Sequence, residues 1–329
     1  MNKDRFTQIS EIGEHGLINK ITNNIKLRHK STKRGVGDDA AVISYLEDKN
    51  QLISTDMLVE GVHFNPNYCP MKHLGYKAII VNISDICAMN GYATHALISI
   101  AIPNKYSVEL IEQLYGGINL ACNNYNIDLI GGDTTASSSG LVISVTIIGE
   151  SLVNKTTYRS GAKPGELLVA SGTLGGAYLG LQILERENDI FKDTKYSQPN
   201  LENYSVILEK QLKPEARVDI INYLDKLEII PSSMIDISDG LASESRHLIE
   251  KSKVGIKIFE NKLSFADEVK RVAIELNIDT TTCALYGGED YELLFTISQK
   301  DYSKIADSPK LHIIGHVTKN KNNLELVTE

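Results

Sequence analysis

Met234-Ile235-Asp236-Ile237-Ser238-Asp239-Gly240-Leu241 decides how the second half of this chain folds. A short apolar run leads into two carboxylates set among small residues, and a glycine then opens a stretch with helical apolar spacing. Such a run bounded by a turn predicts a buried strand, and the stretch after Gly240 predicts a helix. Working outward, further strands are expected at 166–170, 255–259, 291–297 and 311–314, with helices after Gly175, Pro214, Ser264 and Lys300. The alternation predicts an α/β unit.

The first half repeats the theme of acidic residues beside apolar strands. Gly37-Asp38-Asp39 precedes an expected strand at 40–43, and Ser54-Thr55-Asp56 closes one at 51–55. Further strands are expected at 96–102, 127–130 and 141–148, the last with Leu141, Ile143, Val145 and Ile147 alternating with Val142, Ser144 and Thr146. Ile79, Ile83 and Ile86 recur at helical spacing within 71–89, as do Ile111, Leu114, Tyr115 and Ile118 within 108–122. The order ββαβαββ predicts an α+β domain. The chain is expected to divide into residues 1–150 and 151–329, since Gly161, Pro164 and Gly165 break periodicity early in the second part.

Composition excludes several classes. At 329 residues, 42% hydrophobic and 23% charged, the chain is an ordinary globular protein. A formal charge of −8 argues against a nucleic-acid surface. The basic cluster Lys26-Leu27-Arg28-His29-Lys30 with Lys33-Arg34 reads as a solvated loop or helix end, with phosphate capture as the alternative. Cys69, Cys87, Cys122 and Cys283 form no Cys-x-x-Cys pair, which points away from zinc and disulfides and toward a reducing compartment. No apolar run reaches membrane-spanning length, so a cytoplasmic protein is expected. The polar stretch 186–203 reads as a loop.

Asp38, Asp39, Asp56, Asp85, Asp133, Asp236 and Asp239 are carboxylates flanked by Gly, Ser or Thr. Singly, such residues cap helices or make turns; gathered together they would repel one another unless a divalent cation sat among them. A hard cation with oxygen ligands, Mg²⁺ above all, suits several small acidic segments better than a closed cage. Gly131-Gly132-Asp133-Thr134-Thr135, Gly172-Thr173-Leu174-Gly175-Gly176 and Gly287-Gly288-Glu289-Asp290 are expected glycine turns that could offer backbone N–H groups to phosphate. Arg159 could bind phosphate in bidentate fashion or be an exposed linker residue, and His63 follows Asp56 closely enough to contact substrate. No Gly-x-Ser-x-Gly elbow or Cys/His setting supports a protein nucleophile.

Gly35-Val36-Gly37-Asp38-Asp39-Ala40-Ala41, the string from Ser54 through Asp56 and Gly61 to His63-Phe64, and Asn82-Ile83-Ser84-Asp85 resemble the thiamine-monophosphate kinase family. Gly131 to Thr135, Arg159 to Gly161, Asp236 to Leu241 and Gly287 to Leu293 continue the resemblance over nearly the whole chain. It implies a two-domain architecture like that of aminoimidazole-ribonucleotide synthetase: an N-terminal domain for ATP, Mg²⁺ and dimerisation, and a C-terminal α/β domain completing the active site. It also implies ATP-dependent phosphorylation of thiamine monophosphate to thiamine diphosphate, and a homodimer joined through its N-terminal sheets. By matching position, Asp39, Ser54, Thr55, Asp56, Asp85, Asp133, Asp236 and Asp239 look like metal-site residues. Gly132, Asp133, Arg159 and Ser238 look like nucleotide contacts, and His63 and Glu289 like substrate contacts. No residue is assigned as general base or nucleophile, because the acceptor phosphate oxygen is already ionised.

The family's C-terminal aromatic, which stacks on the thiamine rings, has no counterpart after Tyr302, so ring recognition falls to Tyr286 or Tyr291, or the substrate differs. The acidic segments are shared with aminoimidazole-ribonucleotide synthetase and selenophosphate synthetase, so a sister ATP-dependent enzyme is the alternative; selenophosphate synthetase is disfavoured by the absence of an early cysteine. A non-catalytic ATP/Mg²⁺ sensor would not require every carboxylate to be kept.

Overall fold

The computed structural model describes residues 16, 22, 29–44, 47–193 and 201–328. Two six-stranded sheets organise it. The first contains β1 (Thr32–Arg34), β2 (Ala41–Ile43), β3 (Lys49–Val59), β4 (Tyr92–Pro103), β5 (Asp128–Ser137) and β6 (Val142–Leu152), in the order β1-β2-β3-β6-β4-β5. All neighbours are antiparallel except β4 and β5. β3 and β6 pair without interruption from Lys49↔Leu152 to Val59↔Val142.

Helices α1 (Met71–Ala88) and α2 (Val108–Tyr125) pack on one face of this sheet. α1 is buried nearly all round, as a helix must be when it has the sheet on one side and the C-terminal half on another. Its crossing with α2 is close. A Cβ on Gly75 would lie 1.9 Å from the Leu114 carbonyl oxygen, and one on Gly117 would lie 1.8 Å from that of Lys72. Only glycine permits this backbone approach.

The second sheet runs β12-β9-β11-β7-β10-β8, built from β7 (Leu167–Ser171), β8 (Ser233–Asp236), β9 (Gly255–Phe259), β10 (Leu293–Ile297), β11 (Leu311–Thr318) and β12 (Leu324–Val327). Around it lie α3 (Gly176–Asp193), α4 (Ser205–Leu212), α5 (Val218–Lys226), α6 (Leu241–Ser252), α7 (Asp267–Leu276), α8 (Thr280–Tyr286) and the short α9 (Tyr302–Ile305). One apolar core runs between the halves, joining Ile79, Ile83 and Ile147 to Met234, Leu293 and Phe295. No described helix is long and apolar enough to cross a membrane.

Several expectations need correcting. The basic segment at Lys33-Arg34 is strand β1, and Arg34 pairs with Asp38 at 2.9 Å. Asp56 lies inside β3, not after it, and Gly131 to Thr135 is the body of strand β5, where an edge position tolerates glycine. The loop expected over 186–203 is helical as far as Asp193, and a short 3₁₀ turn follows at Glu202–Tyr204; residues 194–200 lie outside those described.

Candidate active site

Strand alternation aims β3's side chains. Ser54 and Asp56 point toward α1, whose Asn82, Ser84 and Asp85 come to meet them. The Ser54 hydroxyl donates to Asp85 Oδ2, and the Asn82 Oδ1 accepts from the Asp56 N–H at 2.9 Å. From the other half, β8 ends at Asp236, whose Oδ2 accepts from the Ser84 hydroxyl at 2.7 Å. Asp39 arrives on the segment before β2. Carboxylate oxygens of Asp39, Asp85 and Asp236 all lie within 4.8 Å of one another, a donor set of hard oxygens that fits a divalent cation.

Burial and mutual repulsion mark this cluster. Burial, then the neighbouring Asp39, pushes the Asp236 carboxyl up to about 7 despite the Ser84 hydrogen bond. Asp85 is pushed well up by burial and by Asp236 and Asp56, and Asp56 is raised by burial against the attraction of His63. Arg159 is the compensating cation: its Nε and Nη2 reach Asp39 Oδ2 and Oδ1 at 3.0 and 2.8 Å, and its backbone N–H donates to Asp38 Oδ1 at 2.7 Å. Asp38 is thus tied to Arg34 and Arg159, whereas Asp39 faces the cluster. Surrounding space of about 650 Å³ is lined in part by Asp56, Arg159, Ser238, Arg246 and His247.

Two further residues support the Asp236 turn. Gly240 holds φ +112°, and a Cβ there would meet the Leu285 carbonyl oxygen at 2.6 Å. Glu244 accepts the Asp239 N–H at 2.8 Å and is pushed up to about 8 by burial. Sequence reasoning missed Glu244; its signal was an acid inside the first turns of the helix after Asp239. Asp239 itself is exposed and stands outside the three-carboxylate group.

Not every expected residue converges. The Thr55 hydroxyl sits on the opposite sheet face from Ser54 and Asp56, donating to the Val145 carbonyl at 2.9 Å. Asp133 pairs in register with Ser99, which pairs with Ser144, which pairs with Met57, so its side chain shares that opposite face. It lies three strands from β3, roughly 14 Å away at ordinary strand spacing. Gly132 and Asp133 are exposed on edge strand β5. Some N–H groups of the glycine loops are already engaged: the Gly175 N–H donates to Asp290 Oδ2 at 2.6 Å, and the Glu289 N–H to the Ser238 carbonyl at 2.7 Å.

Beside the cluster lies a second cavity of about 340 Å³, whose walls include His63, Phe64, Tyr68, Lys77, Gln211 and Glu289. The Val59 N–H donates to His63 Nδ1 at 3.1 Å, placing that ring's proton on Nε2. Lys77 is buried in α1 and meets Glu289 Oε1 at 2.8 Å and the Gln211 carbonyl at 3.0 Å. Neither Tyr286, 70% exposed, nor the buried Tyr291 lines this cavity; Tyr68 does. Sequence reasoning gave no role to Tyr68, Lys77 or Gln211, although Lys77 sits in Tyr76-Lys77-Ala78, a segment that carries the resemblance.

Known proteins resemble this chain closely. Residues 37–151 match the family described as AIR synthase related protein, N-terminal domain. The thiamine-monophosphate kinase of Aquifex aeolicus (strain VF5) is 33% identical over 304 residues, covering 92% of each chain. That of Bacillus subtilis (strain 168) is 34% identical, covering 96% of this chain and 95% of the relative. A solved structure described as AaThiL complexed with AMPPCP and TMP superposes with a TM-score of 0.83 at 32% identity, covering 98% of this chain and 95% of that one. With a third of its residues identical to these kinases along nearly its whole length, this chain belongs to the thiamine-monophosphate kinase family.

Proposed function

We propose that this chain transfers the γ-phosphoryl group of ATP directly, in line, onto thiamine monophosphate, giving thiamine diphosphate and ADP. The observation that carries the reading is the adjacency of two spaces: a carboxylate cluster fit for cations bound to polyphosphate, and a cavity with aromatic and acidic walls fit for a flat cationic heterocycle. His63, seven residues after Asp56 in sequence, lines the second space. The related structure described as holding AMPPCP and TMP supports the same pairing of ligands.

On this reading Asp39, Ser54, Asp56, Asp85, Asp236 and Asp239 serve the metal site of their own chain, while Thr55 and Asp133, on the opposite sheet face, serve one across the dimer proposed below. Bound Mg²⁺ would neutralise phosphate charge and align donor and acceptor oxygens. Gly132, Asp133, Arg159 and Ser238 contact nucleotide, with Arg159 free to exchange its carboxylate partner for a phosphate of matching geometry. His63, through Nε2–H, and Glu289 contact thiamine monophosphate. No side chain need remove a proton, since the acceptor oxygen is ionised near neutral pH.

We also propose a homodimer formed through the N-terminal sheet. Exposed Gly132 and Asp133 lie too far from Asp56 to share its site within one chain, and Met57, 54% exposed on the same sheet face as Asp133, marks an apolar surface available to a second copy. Residues 1–150 then form the ATP, Mg²⁺ and dimerisation domain, and residues 151–329 complete the active site. Four buried free cysteines support a cytoplasmic location. Transfer from ATP made chiral at its γ-phosphate tests the mechanism: inversion in the thiamine diphosphate formed supports direct transfer, and retention refutes it.

A further inference from the structure

Gln211 lies in the last turn of helix α4, is 6% exposed and lines the cavity beside the carboxylate cluster. Its Nε2 donates to Glu289 Oε2 at 2.8 Å. Glu289 also pairs with Lys77, so it is held as an acceptor, and that fixes which end of the carboxamide is nitrogen. Oε1 is buried and has no hydrogen-bond partner among the described residues. A buried acceptor left open in this way is unusual and calls for an N–H or O–H donor. The Lys77 ammonium gives N–H donors to Glu289 and to the Gln211 backbone carbonyl but makes no hydrogen bond to Oε1.

We propose that Gln211 is a specificity-determining residue whose carboxamide oxygen accepts a hydrogen bond from the exocyclic amine of the substrate's aminopyrimidine ring. The inference rests on the thiamine-monophosphate reading and deepens it. Elimination among the substrate's groups leads to the amine: the thiazolium carries no N–H, the phosphate is an acceptor at neutral pH, and the amine alone offers N–H donors beside a flat ring. Tyr68 and Phe64 supply aromatic surface for that ring, and Glu289 and the exposed Glu185 supply negative charge for the thiazolium. A site built around one substrate N–H favours it over the analogue lacking it, which leaves the buried acceptor as open as before binding.

The test is equilibrium binding by calorimetry, with Mg²⁺ and AMPPCP present, of thiamine monophosphate and of the analogue bearing oxygen in place of the amine. The unaltered protein is expected to prefer the amine by roughly 10- to 100-fold. Gln211→Met should weaken thiamine monophosphate by that factor, leave the oxygen analogue unchanged and so erase the preference, with AMPPCP affinity unmoved. Gln211→Leu serves if the methionine variant folds poorly. A preference retained in either variant, or a ratio near one in the unaltered protein, overturns the proposal. Turnover measured in parallel separates the two claims: turnover with a retained preference removes Gln211 alone, whereas neither turnover nor binding removes the kinase reading with it.

Discussion

Replacing Asp236 by Asn should stabilise the metal-free protein, the reverse of what losing a buried, hydrogen-bonded carboxylate ordinarily does. Asp236 is 3% exposed and its carboxyl is pushed from 3.8 up to about 7 by burial and the nearby Asp39. The folded-state value exceeds the unfolded one. The folded chain therefore holds a proton that the unfolded chain has lost between those two pH values, and stability falls as pH rises through that window. At pH 8 the full penalty is present, at most about 4 kcal/mol for a shift of this size. Unfolding entropy of about 2.1 cal/mol/K per residue, taken over 329 residues, makes this a gain of about 3–6 °C in Tm. Asn keeps an oxygen for the Ser84 hydroxyl and removes the charge. The assay is thermal unfolding in EDTA at pH 5 and pH 8, then with Mg²⁺ at pH 8. Asp236→Asn should raise Tm at pH 8 in EDTA, raise it by roughly a third as much at pH 5, and lose the Mg²⁺-dependent gain of the parent. A lower Tm at pH 8 in EDTA, or an undiminished response to Mg²⁺, would refute the electrostatic reasoning.

Three other outcomes are expected. Lys77→Met should cost about 2 kcal/mol by stranding Glu289, and Lys77→Met with Glu289→Gln should recover much of it; strictly additive losses in denaturant titrations would remove the coupling. Gly240→Ala, forced into a φ of +112° against the Leu285 carbonyl, should cost on the order of 1–3 kcal/mol and displace Asp239, and unchanged Mg²⁺-dependent turnover would contradict this. Met57→Arg should yield a folded monomer by light scattering with little turnover, while a persistent dimer would move the interface elsewhere.

Legibility in the sequence followed the range of the interactions. Asp236 to Gly240, the α1 and α2 periodicities and the strands β3 and β6 were readable because strand and helix periods act locally. The acidic convergence was readable because carboxylates of this density carry a common electrostatic problem. Strand β5 was misread because Gly131 and Gly132 signal turns everywhere except at a sheet edge. Helix α8 is seven residues long, too short for periodicity, although the Asp279 side chain accepting from the Thr282 N–H was a local sign. Lys77 and Gln211 lie 134 residues apart, and nothing local says that a lysine in α1 meets a glutamine in α4.

The central claim is tested most directly by incubating the purified protein with ATP, Mg²⁺ and thiamine monophosphate and following products by chromatography. The account requires thiamine diphosphate and ADP in equal amounts, abolished by EDTA and by Asp56→Asn. Nucleotide binding with no thiamine diphosphate, or ADP released without it, would contradict the account and assign the cavity to a different acceptor.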